Sequence, residues 1–162
     1  MSSSSALNYP LLSIPAYYVF SLLPHMYATS ILGANGYQFN NANPKASLSP
    51  SSVQGKVPDA VFQKYQRAEN AQSNNMEQMP FYIAAVLASI MAERATVRGQ
   101  TGTSDTGLTS FVATFFAIRA AYNILYIQVS DHSVSFLRSG AWAAGMGVMG
   151  YQIYKAAQIL GQ

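Results

Sequence analysis

Cysteine is absent from the 162 residues and charge is scarce, with Asp, Glu, Lys and Arg together making up 9% of the chain. The first absence excludes disulfides, a thiol nucleophile supplied by the protein and thiolate metal ligation, so any reactive sulfur must arrive with a ligand. Soluble domains carry about 25% charged residues, so the second absence points to a lipid solvent. The net charge of +3 is scattered, without the Lys/Arg run or basic-aromatic alternation that would follow phosphates, and nucleic acid is not an expected partner. His25 and His132 lie far apart with no companion at metal-ligand spacing, which argues against a zinc or iron centre.

What is present is apolar and aromatic: half the chain is hydrophobic, with 11 Tyr and 8 Phe. At about 20 apolar residues per crossing, this length holds one domain of about four helical spans and little else. The start, Met-Ser-Ser-Ser-Ser-Ala, lacks the positive charge of a secretory signal, and the apolar run behind it is too long for a signal core. A first spanning helix is the expectation.

Periodicity and breakers place helices at about 9–34, 58–92, 108–129 and 135–160, an all-α integral membrane four-helix bundle with left-handed up-down topology. Asn8 is the candidate cap of the first helix, with Pro10 in its tolerated first turn; Pro15 and Pro24 predict a kinked span. Residues 35–57 lack periodicity and read as an exposed, partly mobile loop. Residues 93–107, punctuated by Gly99, Gly102 and Gly107, read as a second polar loop, and 130–133 as a tight turn. In the last helix Gly140/Ala144, Ala141/Gly145 and Ala143/Gly147 recur four apart, the spacing that lets membrane helices approach closely.

A polar stripe interrupts this apolar pattern. On a helix advancing about 100° per residue, Arg67, Asn70, Asn74 and Glu77 share an arc of about 80°. Ionisable groups in lipid cost about 2.5–3.5 kcal/mol each, so they face a partner or a wet cavity. Arg119, Tyr122 and Tyr126 form a second narrow face, on the third helix. Arg138 stands in the first turns of a helix whose dipole disfavours a cation, so an anion is expected beside it. Arg119 is read mainly as a counter-charge, most simply for Glu77, while Glu69 points away from the stripe toward solvent and His25 reads as a packed residue beside a kink.

Lys45, Lys56, Lys64 and Arg67, against Arg94 and Arg98, place the first and third loops in the cytosol. At about 1.5 Å per residue, Glu77 then lies about 22 Å from the far end of its helix and Tyr122 about 21 Å from the far end of its own, a common depth. The polar groups form one column open to water on one side. Arginines for carboxylates, a carboxylate for an amine and amides for peptide groups suit a zwitterionic, peptide-like ligand.

The run from Arg67 through Asn74, Glu77 and Pro80 to Phe81, with Asn43-Pro44-Lys45, Arg119-Ala-Ala-Tyr122-Asn-Ile-Leu-Tyr126 and Leu137-Arg138-Ser139, resembles the membrane-associated proteins in eicosanoid and glutathione metabolism, the MAPEG family. The resemblance implies a homotrimer of four-helix subunits in the endoplasmic reticulum or another endomembrane. Glutathione, as cosubstrate, would bind between subunits, and the activity would be a glutathione transferase or peroxidase acting on lipophilic small molecules. Asn74, Glu77, Tyr122 and Tyr126 would bind glutathione, Arg138 would stabilise its thiolate, Arg67 would lie near the site and Arg119 would be structural. Two departures stand out: Asn70 occupies a position where the family often has arginine, and the end of the first helix offers Asn35, Gly36, Tyr37 and Gln38 where active members often carry another. A non-catalytic protein that binds lipid or acts as a scaffold is therefore the alternative, because family membership does not settle chemistry. A small channel or transporter fits less well with a column open on one side.

Overall fold

A computed structural model describes residues 7–98 and 105–161. The serine-rich start and the glycines at 99 and 102 lie outside these described residues. The described chain is all-helical, in the order α1 (Tyr9–Ala34), α2 (Pro44–Ser47), α3 (Pro50–Val53), α4 (Asp59–Arg98), α5 (Leu108–Gln128) and α6 (His132–Leu160). Six helices thus stand where four were predicted, because two single turns form inside the first loop, each opened by a proline in the first turn.

Local chemistry sets the helix ends. Asn8 caps α1, its side-chain oxygen accepting the Leu11 N–H at 2.9 Å. The second long helix runs beyond 92 to Arg98, since Glu93 to Arg98 contains no glycine or proline to stop it. Glu93 Oε1 accepts the Thr106 hydroxyl at 2.5 Å and ties that extension to the start of α5. Three residues, Val129 to Asp131, separate α5 from α6, and the last helix begins at His132 rather than near 135.

The first loop is anchored, not loose. The Tyr37 hydroxyl donates to the Ser47 carbonyl and the Tyr65 hydroxyl to the Leu48 carbonyl. Val53 and Val57 pack with Ala28, Leu32, Phe62 and Tyr65 in a small core beneath it. The expectation of partial mobility overlooked this, because two isolated valines and a tyrosine give no period to detect.

The main core joins all four long helices through Tyr17, Tyr82, Phe111, Phe115 and Met149. The rings of Tyr82 and Phe115 stack at 4.5 Å and 17°, and the Tyr17 edge meets Phe115 at 5.0 Å. Offset and edge-on aromatic pairs each add about 0.5–1.5 kcal/mol beyond the area buried. The phenols are satisfied too: Tyr82 shares a 2.5 Å bond with Ser13, and Tyr17 donates to the Asn75 carbonyl at 3.1 Å. Helix α4 packs against α1, α5 and α6, whereas α1 and α5 touch only lightly.

Among the described residues α5 is the one helix long and apolar enough to cross a membrane on composition, with a mean hydropathy of 1.4. Prolines and serines in α1, the polar stripe in α4 and glycines in α6 dilute the others. The small-residue spacing in α6 serves the fold on one face only. Gly145 is buried, where an added Cβ would lie 3.5 Å from Gln78 Oε1 and 3.8 Å from Ile118, whereas Gly140 and Gly147 have nothing within 4 Å.

Candidate functional site

One turn of α5 separates Tyr122 from Tyr126, so their rings lie on one face, with centroids 5.4 Å apart. The short connection to α6 brings Arg138 back over the second ring, its guanidinium carbon 4.8 Å from the Tyr126 centroid. On the other side Arg119 covers Tyr122 at 4.1 Å. A file of cation, ring, ring, cation results, and each such contact contributes about 0.5–2 kcal/mol depending on desolvation.

A cavity of about 360 Å³ opens beside this file, lined by Asn74, Tyr122, Tyr126, Ser135, Arg138 and Trp142. Its walls come from α4, α5 and α6 and offer an amide, two phenols, hydroxyls and a guanidinium. Among the described residues no carboxylate lies within ion-pair distance of Arg138. A half-buried cation beside polar donors is suited to an anion, a carboxylate or a thiolate, from outside the chain.

The structure does not gather every predicted residue here. Arg67 is held on the flank, its Nε donating to the Ile127 carbonyl at 3.0 Å. Asn70 is exposed and lines a separate cavity of about 150 Å³ with Tyr65, Gln66 and Glu69. Glu77 is exposed on α4 and does not line the cavity wall. Asn74 reaches the cavity while its Nδ2 donates to the Asn70 carbonyl at 3.2 Å.

Arg119 is buried, and its hydrogen bonds correct the expected pairing with Glu77. Asn75 Oδ1 accepts from Nε at 3.0 Å and also from Nη2, while Asn75 Nδ2 donates to Asn123 Oδ1 at 3.1 Å. Sequence reasoning passed over Asn75 because, at about 80° from Arg67, it lies off the stripe. Asn123 was equally invisible between the tyrosines. The available signal was the need of a mid-helix arginine for buried amides, which any bundle arginine imposes. Likewise Glu69 is no solvated bystander: its Oε1 meets His25 Nδ1 at 2.8 Å and bridges α1 to α4.

No curated protein and no solved structure gives a significant match to the sequence. The MAPEG family model, by contrast, matches residues 14–158, which take in nearly all of every long helix and all the residues of the cavity wall. With nearly the whole chain covered and the polar file of α4, α5 and α6 inside the match, the protein belongs to the membrane-associated MAPEG family.

Proposed function

We propose that the protein is a glutathione-dependent membrane enzyme, a transferase or peroxidase for lipophilic electrophiles or lipid hydroperoxides, with Arg138 stabilising the glutathione thiolate. The observation that carries this reading is the convergence of Asn74, Tyr122, Tyr126 and Arg138 on one cavity. Family membership supports the general glutathione or eicosanoid setting.

In this reading α1, α4, α5 and α6 are four spans of an endomembrane protein, and three subunits associate. Glu77, exposed on the single chain, then meets its ligand at a subunit boundary, with Arg67 and Asn70 nearby. The phenols of Tyr122 and Tyr126 and the amide of Asn74 bind the peptide part of glutathione. The Arg138 guanidinium faces the sulfur, and lowering the thiol pKa by about 2 units corresponds to about 2.7 kcal/mol of preferential stabilisation. The thiol proton leaves to water. In transfer, the thiolate forms a carbon–sulfur bond as the leaving group departs with the electron pair. In reduction, two glutathiones are oxidised to the disulfide while a hydroperoxide becomes an alcohol and water.

A second reading, a lipid-binding or scaffold protein without catalysis, is favoured by the placement of Asn70 at a different cavity and by the absence of an arginine at the end of α1. Calorimetry of the detergent-solubilised protein separates the two. Millimolar glutathione releases heat and raises the unfolding midpoint under the first reading only. An assay panel of glutathione with a chloronitrobenzene and with a fatty-acid hydroperoxide then assigns the reaction. The absence of both heat and turnover would reject the enzyme.

A further inference from the structure

The light contact between α1 and α5 leaves a second cavity, of about 300 Å³, on the opposite side of α5 from the polar one. Its walls include Phe20, Leu23, Pro24 and Tyr27 of α1 and Ile124 and Ile127 of α5, with Asn123 and Gln128 as its amides. Taking Tyr122 as zero, Tyr126 falls at about 40°, while Asn123, Ile127 and Ile124 fall at about 100°, 140° and 200°, so α5 divides two sites of opposite character. Pro24 cannot donate to the Phe20 carbonyl, and helices open at such positions. The Phe20 ring, edge-on to Phe116 at 5.5 Å, floors the inner end.

One polar group in this wall is unaccounted for. Asn123 is only 8% exposed, and its Oδ1 is taken by Asn75 Nδ2. Its own amide N–H groups have no acceptor among the described residues, although the side chain lines the cleft. An amide donor that opens onto an apolar cleft in lipid is unfavourable until an acceptor reaches it. Asn123 lies about 7.5 Å inside the C-terminal end of α5, and the cleft continues inward for about 10 Å, from the level of Tyr27 to that of Phe20.

We propose that the α1/α5 cleft binds a single-chain amphiphile, its alkyl chain lying along Leu23, Ile124 and Phe20 and its head-group oxygen accepting from the Asn123 amide. The size, at the lower end for small-molecule sites, fits one chain rather than two. The depth puts an oxygen near the boundary of the hydrocarbon and the chain within it. This site is distinct from the polar cavity and does not depend on glutathione chemistry.

The test is photolabelling of the full-length protein in lipid nanodiscs with a hexadecanoic acid carrying a terminal diazirine, without glutathione. Adducts are expected on peptides covering residues 20–27 and 120–128. Unlabelled palmitate or hexadecanol should lower their yield about tenfold and hexadecane should not, because only the first two carry an acceptor. Carboxylic acid and alcohol are separated by which of the two competes at lower concentration. Ile124→Trp and, separately, Leu23→Trp fill the cleft from positions already 63% and 49% exposed, and each should reduce labelling about tenfold with the unfolding midpoint kept. Adducts spread evenly over Val19, Met26 and Tyr151, equal displacement by hexadecane, or no adducts because a neighbouring copy fills the cleft would each overturn the proposal. Should both tryptophan variants misfold, the competition on the unaltered protein decides by itself.

Discussion

Asn75 and Arg119, 44 residues apart in sequence, form the buried hinge of the polar system: one side-chain oxygen accepts two of the guanidinium's N–H groups. The same arginine lies over Tyr122, so the amide holds the first ring of the cavity at one remove. Nη1 of Arg119 and both amide atoms of Gln78 are buried without partners, which makes the Asn75 bonds more consequential.

Removing that acceptor should therefore be costly. Asn75→Ala is expected to destabilise the protein by about 2–4 kcal/mol, since it strands a buried cation. Asn75→Asp, which keeps the acceptor and adds a compensating charge, should retain stability. Thermal unfolding in detergent measures both, and equal losses would mean that the contact is incidental.

Arg138 lies over Tyr126 with no carboxylate of the described residues at ion-pair distance, which leaves its charge to a ligand. Arg138→Ala should abolish the far-ultraviolet thiolate absorbance of bound glutathione and lower turnover about 100-fold, matching about 2.7 kcal/mol. Arg138→Lys should restore a part only, because a point charge cannot reproduce the planar fork. Unchanged turnover in both variants would remove Arg138 from the reaction.

Gly145 is the glycine of α6 that faces protein. An alanine Cβ there meets its nearest neighbours at 3.5–3.9 Å, an ordinary contact. Gly145→Ala should be neutral or stabilising by up to about 1 kcal/mol, from helix propensity. Gly145→Leu should cost about 1–3 kcal/mol by overpacking Gln78 and Arg119. A chemical denaturation series on the two variants checks the contrast.

The bridge between His25 and Glu69 is partly exposed, at 39% and 28% for the two side chains. Glu69→Gln should change stability by less than about 1 kcal/mol, as expected for a partly exposed pair. A larger loss would show that the pair fixes the approach of α1 to α4.

Much of this molecule is legible along the chain. The cap at Asn8, the proline-opened start of α4 at Asp59 and the run of Arg119, Tyr122 and Tyr126 on one face all depend on neighbours within a turn or two, which periodicity reports directly. The added turns α2 and α3 and the extension of α4 to Arg98 had local signals in their prolines and in the lack of a breaker after 92, but their anchoring by Tyr37, Tyr65 and Thr106 comes from elsewhere in the chain and was not legible.

Composition and helical period alone made the protein all-helical, suited to a lipid environment and rich in polar groups at chosen faces. The tertiary structure alone decided that Arg119 bonds to Asn75 rather than Glu77, that Glu69 turns to His25, and that α5 carries a polar cavity on one flank and an apolar cleft on the other. A stripe defines a direction around one helix axis. Which group it meets depends on how far each helix is rotated and shifted against its neighbours, and that is set by the packing of Tyr17, Tyr82 and Phe115, residues far apart in the chain.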